Sequence, residues 1–210
     1  ELDVWFREML VLDLLGMAFL AVLSFLVHAA VNNKFLGYFV FVGAVIVNTF
    51  VWLPLKIQAV MLRYGGAPSY TYSDMNGYGP YVAGLFWFNA YWFAFAGMLV
   101  LATVLLWIRG RDTELPVRRA NARLRFRGLA RWAFGAFLAT FVALGGWVFY
   151  NTQVLNTYTP TRTAEERQVA YETTYKAAYQ GMLQPRIVDL RYEIDVFPAE
   201  RDLRSRGTAV

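Results

Sequence analysis

Side chains able to do acid–base, nucleophilic or metal chemistry are scarce in this chain. There is one histidine, His28, and no cysteine. A catalytic zinc ion takes about three protein ligands, so a zinc centre built on two histidines cannot be assembled from this chain, and the expected cofactor content is none. Disulfides and thiolate metal sites are excluded as well. No Ser/His/Asp set and no glycine-rich phosphate loop can be found. What remains are isolated polar residues inside apolar runs: Asp13, Asn48 and Asn89. Their chemistry is charge and hydrogen bonding, not covalent catalysis.

The runs that carry them set their depth. Apolar stretches cover about residues 9–31, 35–55, 81–108 and 132–150. A helix needs roughly 20 apolar residues to cross a hydrocarbon core of about 30 Å. Four membrane-spanning helices are therefore expected. Overall the chain is 58% hydrophobic, above the roughly 45–50% usual for soluble domains. Asp13 then falls ~6 Å from the outer end of its span, and Asn48 and Asn89 fall ~10–12 Å from theirs. All three fall at similar depth, in the outer leaflet, and are candidates for a polar lining where a substrate leaves the membrane. Hydrogen bonding between helices is the competing role for the asparagines. An acid inside a membrane points to function by default, which singles out Asp13. His28, near the inner end, is expected to snorkel to the interface.

Orientation comes from charge. Between residues 109 and 131 stand Arg109, Arg111, Arg118, Arg119, Arg123, Arg125, Arg127 and Arg131, against Asp112 and Glu114. A basic loop between two spans belongs on the cytoplasmic side. Residues 56–80 and everything after residue 150 are then external by alternation. The net charge of +5 resides entirely in residues 1–150, so it reflects topology and implies no nucleic-acid partner. Val117 to Arg131 is expected to form a basic amphipathic helix on anionic headgroups. Tyr70, Tyr72, Tyr78 and Tyr81 cluster before the third span, where tyrosine suits the membrane boundary. Gly135, Ala139, Ala143 and Gly146 share one face of the fourth span, a spacing that lets a neighbouring helix approach.

Beyond residue 150 the pattern changes. Thr163-Ala-Glu-Glu166 reads as a capping box opening a helix. Tyr171, Tyr175 and Tyr179 share one face of it and call for a partner surface, while Glu172 and Lys176 form an i,i+4 pair pointing elsewhere. From Val188 to Val196 the hydrophobic period is two, a strand with one buried face, followed by a turn and a returning strand. The fold class is thus an all-α membrane bundle, an external linker helix over 151–185, and the start of a β domain over 186–210. The chain opens at Glu1 and closes within a strand, and reads as a fragment of a longer membrane protein.

Two stretches carry a resemblance. Tyr72-Ser-Asp-Met-Asn-Gly-Tyr-Gly79 precedes an aromatic span, and Phe149-Tyr-Asn-Thr-Gln-Val-Leu-Asn-Thr-Tyr158 leads out of the last one. Gln184-Pro-Arg186, the alternating strand, Phe197-Pro-Ala-Glu-Arg201 and Arg206-Gly207 follow. Together they resemble a bacterial family that joins an ABC type 2 exporter permease to an aminopeptidase N-like zinc metallopeptidase. The resemblance implies an inner-membrane protein working as a dimer or pseudo-dimer with a separate ATP-binding-cassette ATPase. Zinc is implied only if a downstream peptidase domain is intact, because the family's His-Glu-x-x-His motif has no counterpart here. The tyrosine stripe is expected to dock on the peptidase-like sheet. The alternatives are a membrane anchor that transports nothing and a metallopeptidase merely positioned near lipid.

The topology is directly testable because the chain is free of cysteine. In intact cells, with any outer membrane permeabilised, an impermeant thiol reagent is expected to label Ser69→Cys and Thr163→Cys but not Gly110→Cys. Labelling at position 110 reverses the whole orientation.

Overall fold

The apolar runs fold as helices over most of their described residues. The computed structural model describes residues 2, 6, 14–31, 33–52, 54–107, 114–156, 159–182, 186–200 and 202–210. Among them are six α-helices and one antiparallel hairpin. The helices are α1 (Leu14–Ala30), α2 (Lys34–Phe50), α3 (Gly79–Leu106), α4 (Leu115–Arg125), α5 (Leu129–Phe149) and α6 (Thr161–Tyr179). The strands are β1 (Leu190–Phe197) and β2 (Asp202–Ala209). The chain forms two compact units, Glu1–Arg162 and Thr163–Val210.

Two of the four expected spans are long and apolar enough to cross a membrane. These are α3, with 28 residues, and α5, which runs on through a π-helical turn so that Leu129–Leu155 covers 27. At 1.5 Å per residue each measures about 40 Å. The other two are shorter: α1 and α2 have 17 residues each, about 26 Å. The expected first span began at residue 9, and residues 9–13 lie outside those described. The second was expected to reach Leu55 but ends at Phe50. Pro54 explains this, since its ring would strike the carbonyl four residues back, that of Phe50. Asn33 caps the start of α2, its Oδ1 accepting from the N–H groups of Phe35 at 2.9 Å and Leu36 at 3.3 Å.

The π-helical end of α5 has a local cause. Thr152 Oγ1 donates to the Val148 carbonyl at 2.7 Å, and Asn151 Nδ2 donates to the Trp147 carbonyl at 2.8 Å. Side chains that take up backbone carbonyls compete with the regular ladder, and the last turns widen.

In the first unit α3 is the hub, packed against α1, α4 and α5. It supplies Leu85, Phe88, Tyr91, Trp92, Ala94, Ala96, Met98 and Thr103 to the buried set. Tyr91 stacks on Phe141 of α5 with ring centres 4.5 Å apart. The small residues that admit this contact are not the ones the spacing suggested. Gly135, Ala139, Ala143 and Gly146 are exposed, and a Cβ added at Gly135 or Gly146 would meet nothing within 4 Å. The close approach is at Gly97 of α3, where a Cβ would stand 2.4 Å from the Phe137 ring, and at Gly145, where it would stand 3.1 Å from Tyr91. Large rings of one helix seat on glycines of the other. A stripe of small residues marks where a helix can approach, not whether one does.

The arginine-rich stretch after α3 is likewise not one helix over 117–131. It breaks after Arg125 into a short elbow at Phe126, Arg127 and Gly128, and Gly128 has φ +55°, which glycine tolerates best.

In the second unit α6 starts at Thr161, two residues before the expected capping box, directly after Pro160. Thr163 therefore sits inside the helix and cannot act as its cap. The strands pair in register from Leu190 opposite Ala209 to Phe197 opposite Asp202. Glu193 faces Arg206 and Asp195 faces Arg204 across the pair, an arrangement that favours this register. Gly207 leaves room for the Tyr192 ring, which a Cβ would meet at 2.4 Å.

Gly97→Ala tests the α3–α5 contact. Phe137 has to move to admit the methyl group, and overpacking of this kind costs about 1–3 kcal/mol. A lower midpoint of thermal unfolding in detergent is expected for Gly97→Ala and little change for Gly135→Ala.

Candidate functional site

The connector between α2 and α3 does not stay outside the bundle. Pro54 ends α2, a short 3₁₀ turn follows at Val60–Leu62, and Gly65 turns the chain with φ +68°. This turn carries Tyr64 into contact with three helices. Asn48 of α2 uses both ends of its amide on it: Oδ1 accepts from the Tyr64 N–H at 2.9 Å and Nδ2 donates to the Tyr64 carbonyl at 3.0 Å. The Tyr64 hydroxyl donates to the Phe19 carbonyl of α1 at 2.8 Å. Burial pushes its phenol up to about 12, so this donor keeps its proton across the neutral range.

The neighbouring residues complete the knot. Trp92 Nε1 of α3 donates to the Gly66 carbonyl at 2.9 Å. The Tyr64 ring meets Trp92 edge-on at 5.4 Å and Phe95 at 5.8 Å, and lies 6.3 Å from Phe19. Phe19, Tyr91, Trp92 and Ala96 form the buried centre on which it rests. Every polar group named here has a partner. That is what irregular backbone among apolar helices requires, because an unpaired buried N–H or C=O costs about 1–3 kcal/mol.

Of the expected polar lining, Asp13 lies outside the described residues. Asn48 is a clamp for a loop, which the interhelical reading did not anticipate. Asn89 donates to the Leu85 carbonyl of its own helix at 2.9 Å. Neither asparagine bonds the other among the described contacts. The residues that make the knot with Asn48, namely Tyr64, Gly66 and Trp92, were missed in sequence. A signal existed in Trp92, since an indole N–H in the middle of an apolar run needs a partner.

A second cluster lies where α1 ends, α2 begins and α3 ends. His28 folds inward instead of snorkelling. Its Nδ1 lies 2.9 Å from the Ser24 carbonyl, and its ring packs edge-on against Tyr38 at 5.0 Å. The absent side chain of Gly37 makes room, since a Cβ there would stand 3.0 Å from the imidazole. Ser24, Phe25, His28, Ala29, Tyr38 and Trp107 line a groove of about 480 Å3 here.

Of the loop arginines, Arg109 and Arg111 lie outside the described residues. Arg118 behaves unlike the others: it is buried, and its Nε and one terminal nitrogen donate to the Leu106 carbonyl at 3.0 and 2.6 Å. One guanidinium thus caps the end of α3 and holds α4 against it. Arg119, Arg123, Arg125, Arg127 and Arg131 are exposed.

In the second unit Tyr171, Tyr175 and Tyr179 do share a face, with successive ring centres 5.0 and 6.1 Å apart. All three are exposed. The Glu172–Lys176 pair forms at 3.6 Å, and its side chains flank the tyrosines along a groove of about 610 Å3 instead of pointing elsewhere.

Among the described residues no three His, Cys, Asp or Glu side chains come together as a metal site. The arrangement can hold a loop within a helical bundle and present polar and aromatic surface. No protein-family model, no curated protein and no solved structure matches the chain.

Asn48→Ala strips both partners from the Tyr64 backbone and is expected to cost about 1–3 kcal/mol. Tyr64→Phe removes one hydroxyl and should cost about 1 kcal/mol. Thermal unfolding of the detergent-solubilised protein checks the order. In the Asn48 variant, trypsin should also cut faster at Arg63.

Proposed function

We propose that this chain is the membrane-embedded permease part of an ABC-type exporter, joined to the start of an extracytoplasmic aminopeptidase-like domain. The observation that carries the membrane half is the surface of α5. Only 6% of the residues in its most apolar 18-residue window are buried within the chain, so beyond the side packed on α3 an apolar helix surface faces outward. A core helix of a soluble protein would be covered. Lipid, or further apolar helices, is the environment in which such a surface is stable.

The shorter helices α1 and α2 join the membrane part in this reading. At 17 residues they sit at the low end of the spanning range. The turn between them and the end of α3 lie at the same end of the bundle, around the His28 groove, as alternating passes require. In this reading that end is the cytoplasmic one, which the positive-inside bias of the eight arginines supports. The exporter half rests on the resemblance of residues 72–79 and 149–207. The hairpin of the second unit supports it, since two strands alone are marginal in water, and this one exposes Leu190, Tyr192, Ile194, Val196 and Leu203. Such a face suits the first strands of a larger β domain. The tyrosine stripe of α6 is the surface we assign to docking on that domain. The partners of this reading are the bilayer, an ATPase subunit and a second permease half.

Affinity purification of the full-length protein from cross-linked native membranes tests the exporter half. An ATP-binding-cassette ATPase is expected in near-stoichiometric amount, and its hydrolysis should rise several-fold when both are reconstituted in liposomes. Recovery of the full-length protein without any ATPase would identify the membrane part as an anchor only.

A further inference from the structure

Helix α4 and the elbow after it form a surface that the exporter reading leaves unused. Arg118 faces α3, buried, with its grip on the Leu106 carbonyl. Turning around α4 from Arg118 at about 100° per residue gives two further sides. Arg119 and Arg123 lie on one of them. Val117, Ala120 and Leu124, at spacings of three and four, lie on the other. All five are exposed. The apolar side of α4 is therefore not the side it packs with. It is a third face, apolar and uncovered.

The elbow continues this pattern. Leu129 is 85% exposed and Trp132 80% exposed, at the very start of the helix whose apolar surface faces outward. Exposed Arg127 and Arg131 alternate with them. Arg118 fixes α4 at the level where α3 ends, and Gly128 joins it to α5 within three residues. If α3 and α5 cross a bilayer, that level is the headgroup layer.

We propose that α4 and its elbow lie in the membrane interface and bind anionic phospholipid. Arg119 and Arg123 take the phosphates, while Leu124, Leu129 and Trp132 enter the acyl boundary. The occupant follows from the pairing of features. A basic flank beside an apolar flank of similar length is what an in-plane helix on anionic lipid requires. A phosphate also suits the bidentate geometry of arginine. A protein partner recognised by charge alone would leave Leu124, Leu129 and Trp132 in water. The proposal rests on the membrane reading of α3 and α5.

The test uses two single-cysteine variants of the otherwise cysteine-free chain, Leu124→Cys and Val142→Cys. Each is labelled with an environment-sensitive NBD dye and reconstituted in lipid nanodiscs. Position 142 lies within α5 and reports membrane insertion by itself. The expected result is apolar emission at 142 in every lipid. At 124 the emission should shift to the blue as phosphatidylglycerol replaces phosphatidylcholine. In the Arg119→Gln, Arg123→Gln background the phosphatidylglycerol fraction giving half the shift should rise several-fold, from a roughly thirtyfold weaker attraction to the surface. High salt should act in the same direction. Emission at 124 that is independent of phosphatidylglycerol, with 142 apolar, overturns the proposal and leaves the membrane reading standing. Aqueous emission at 124 in every lipid that turns apolar only with a co-purified ATPase overturns it in favour of a protein partner. Aqueous emission at 142 overturns both readings.

Discussion

The first unit depends on the satisfaction of one residue's backbone. Tyr64 sits on an irregular stretch among apolar helices, where its N–H and C=O have no ladder to join. Asn48 supplies both partners, at 2.9 and 3.0 Å. Without them the connector would have to withdraw, because two unpaired polar groups outweigh what one aromatic ring gains by burial. With them the ring can be buried, and it bridges α1, α2 and α3. Phe19 receives its hydroxyl, and Trp92 and Phe95 receive its edges. Trp92 in turn spends its indole N–H on Gly66. The helices are thus held through a loop as much as through one another.

A second constraint acts on α3. Its aromatic side chains and those of α5 compete for room where the two helices come closest. Glycine resolves the conflict on both sides, with Phe137 over Gly97 and Tyr91 over Gly145. The stacked Tyr91–Phe141 pair fills the space between. At the other end Arg118 closes α3 by taking the Leu106 carbonyl. The hub is therefore pinned at its middle by a loop and by rings on glycines, and at its end by a guanidinium.

The second unit shows the opposite balance. Its helix and hairpin have well-matched local signals but expose their apolar residues. The strand register puts Glu193 opposite Arg206 and Asp195 opposite Arg204, with Gly207 under Tyr192. Local geometry holds these elements, and their apolar side chains stay exposed.

Local physics was legible in the amino-acid sequence. Apolar length located α3 and α5, because each must satisfy its backbone internally. Alternation of period two located the hairpin to within two residues, since one pleated face repeats its chemistry. The single histidine and absent cysteine ruled out a zinc centre built on two histidines, and thiolate chemistry, without any geometry. The spacing of Tyr171, Tyr175 and Tyr179 put them on one face. Tertiary structure decided which of these features met a partner. It chose Gly97 and Gly145 over the Gly135–Gly146 stripe, because a glycine matters only where a large ring arrives. It turned His28 inward over Gly37 and separated Arg118 from its exposed neighbours. It also drew Tyr64 into the bundle, forty-five residues from the Phe19 carbonyl it bonds. Such contacts depend on which helices become neighbours, and no local pattern of residues encodes that.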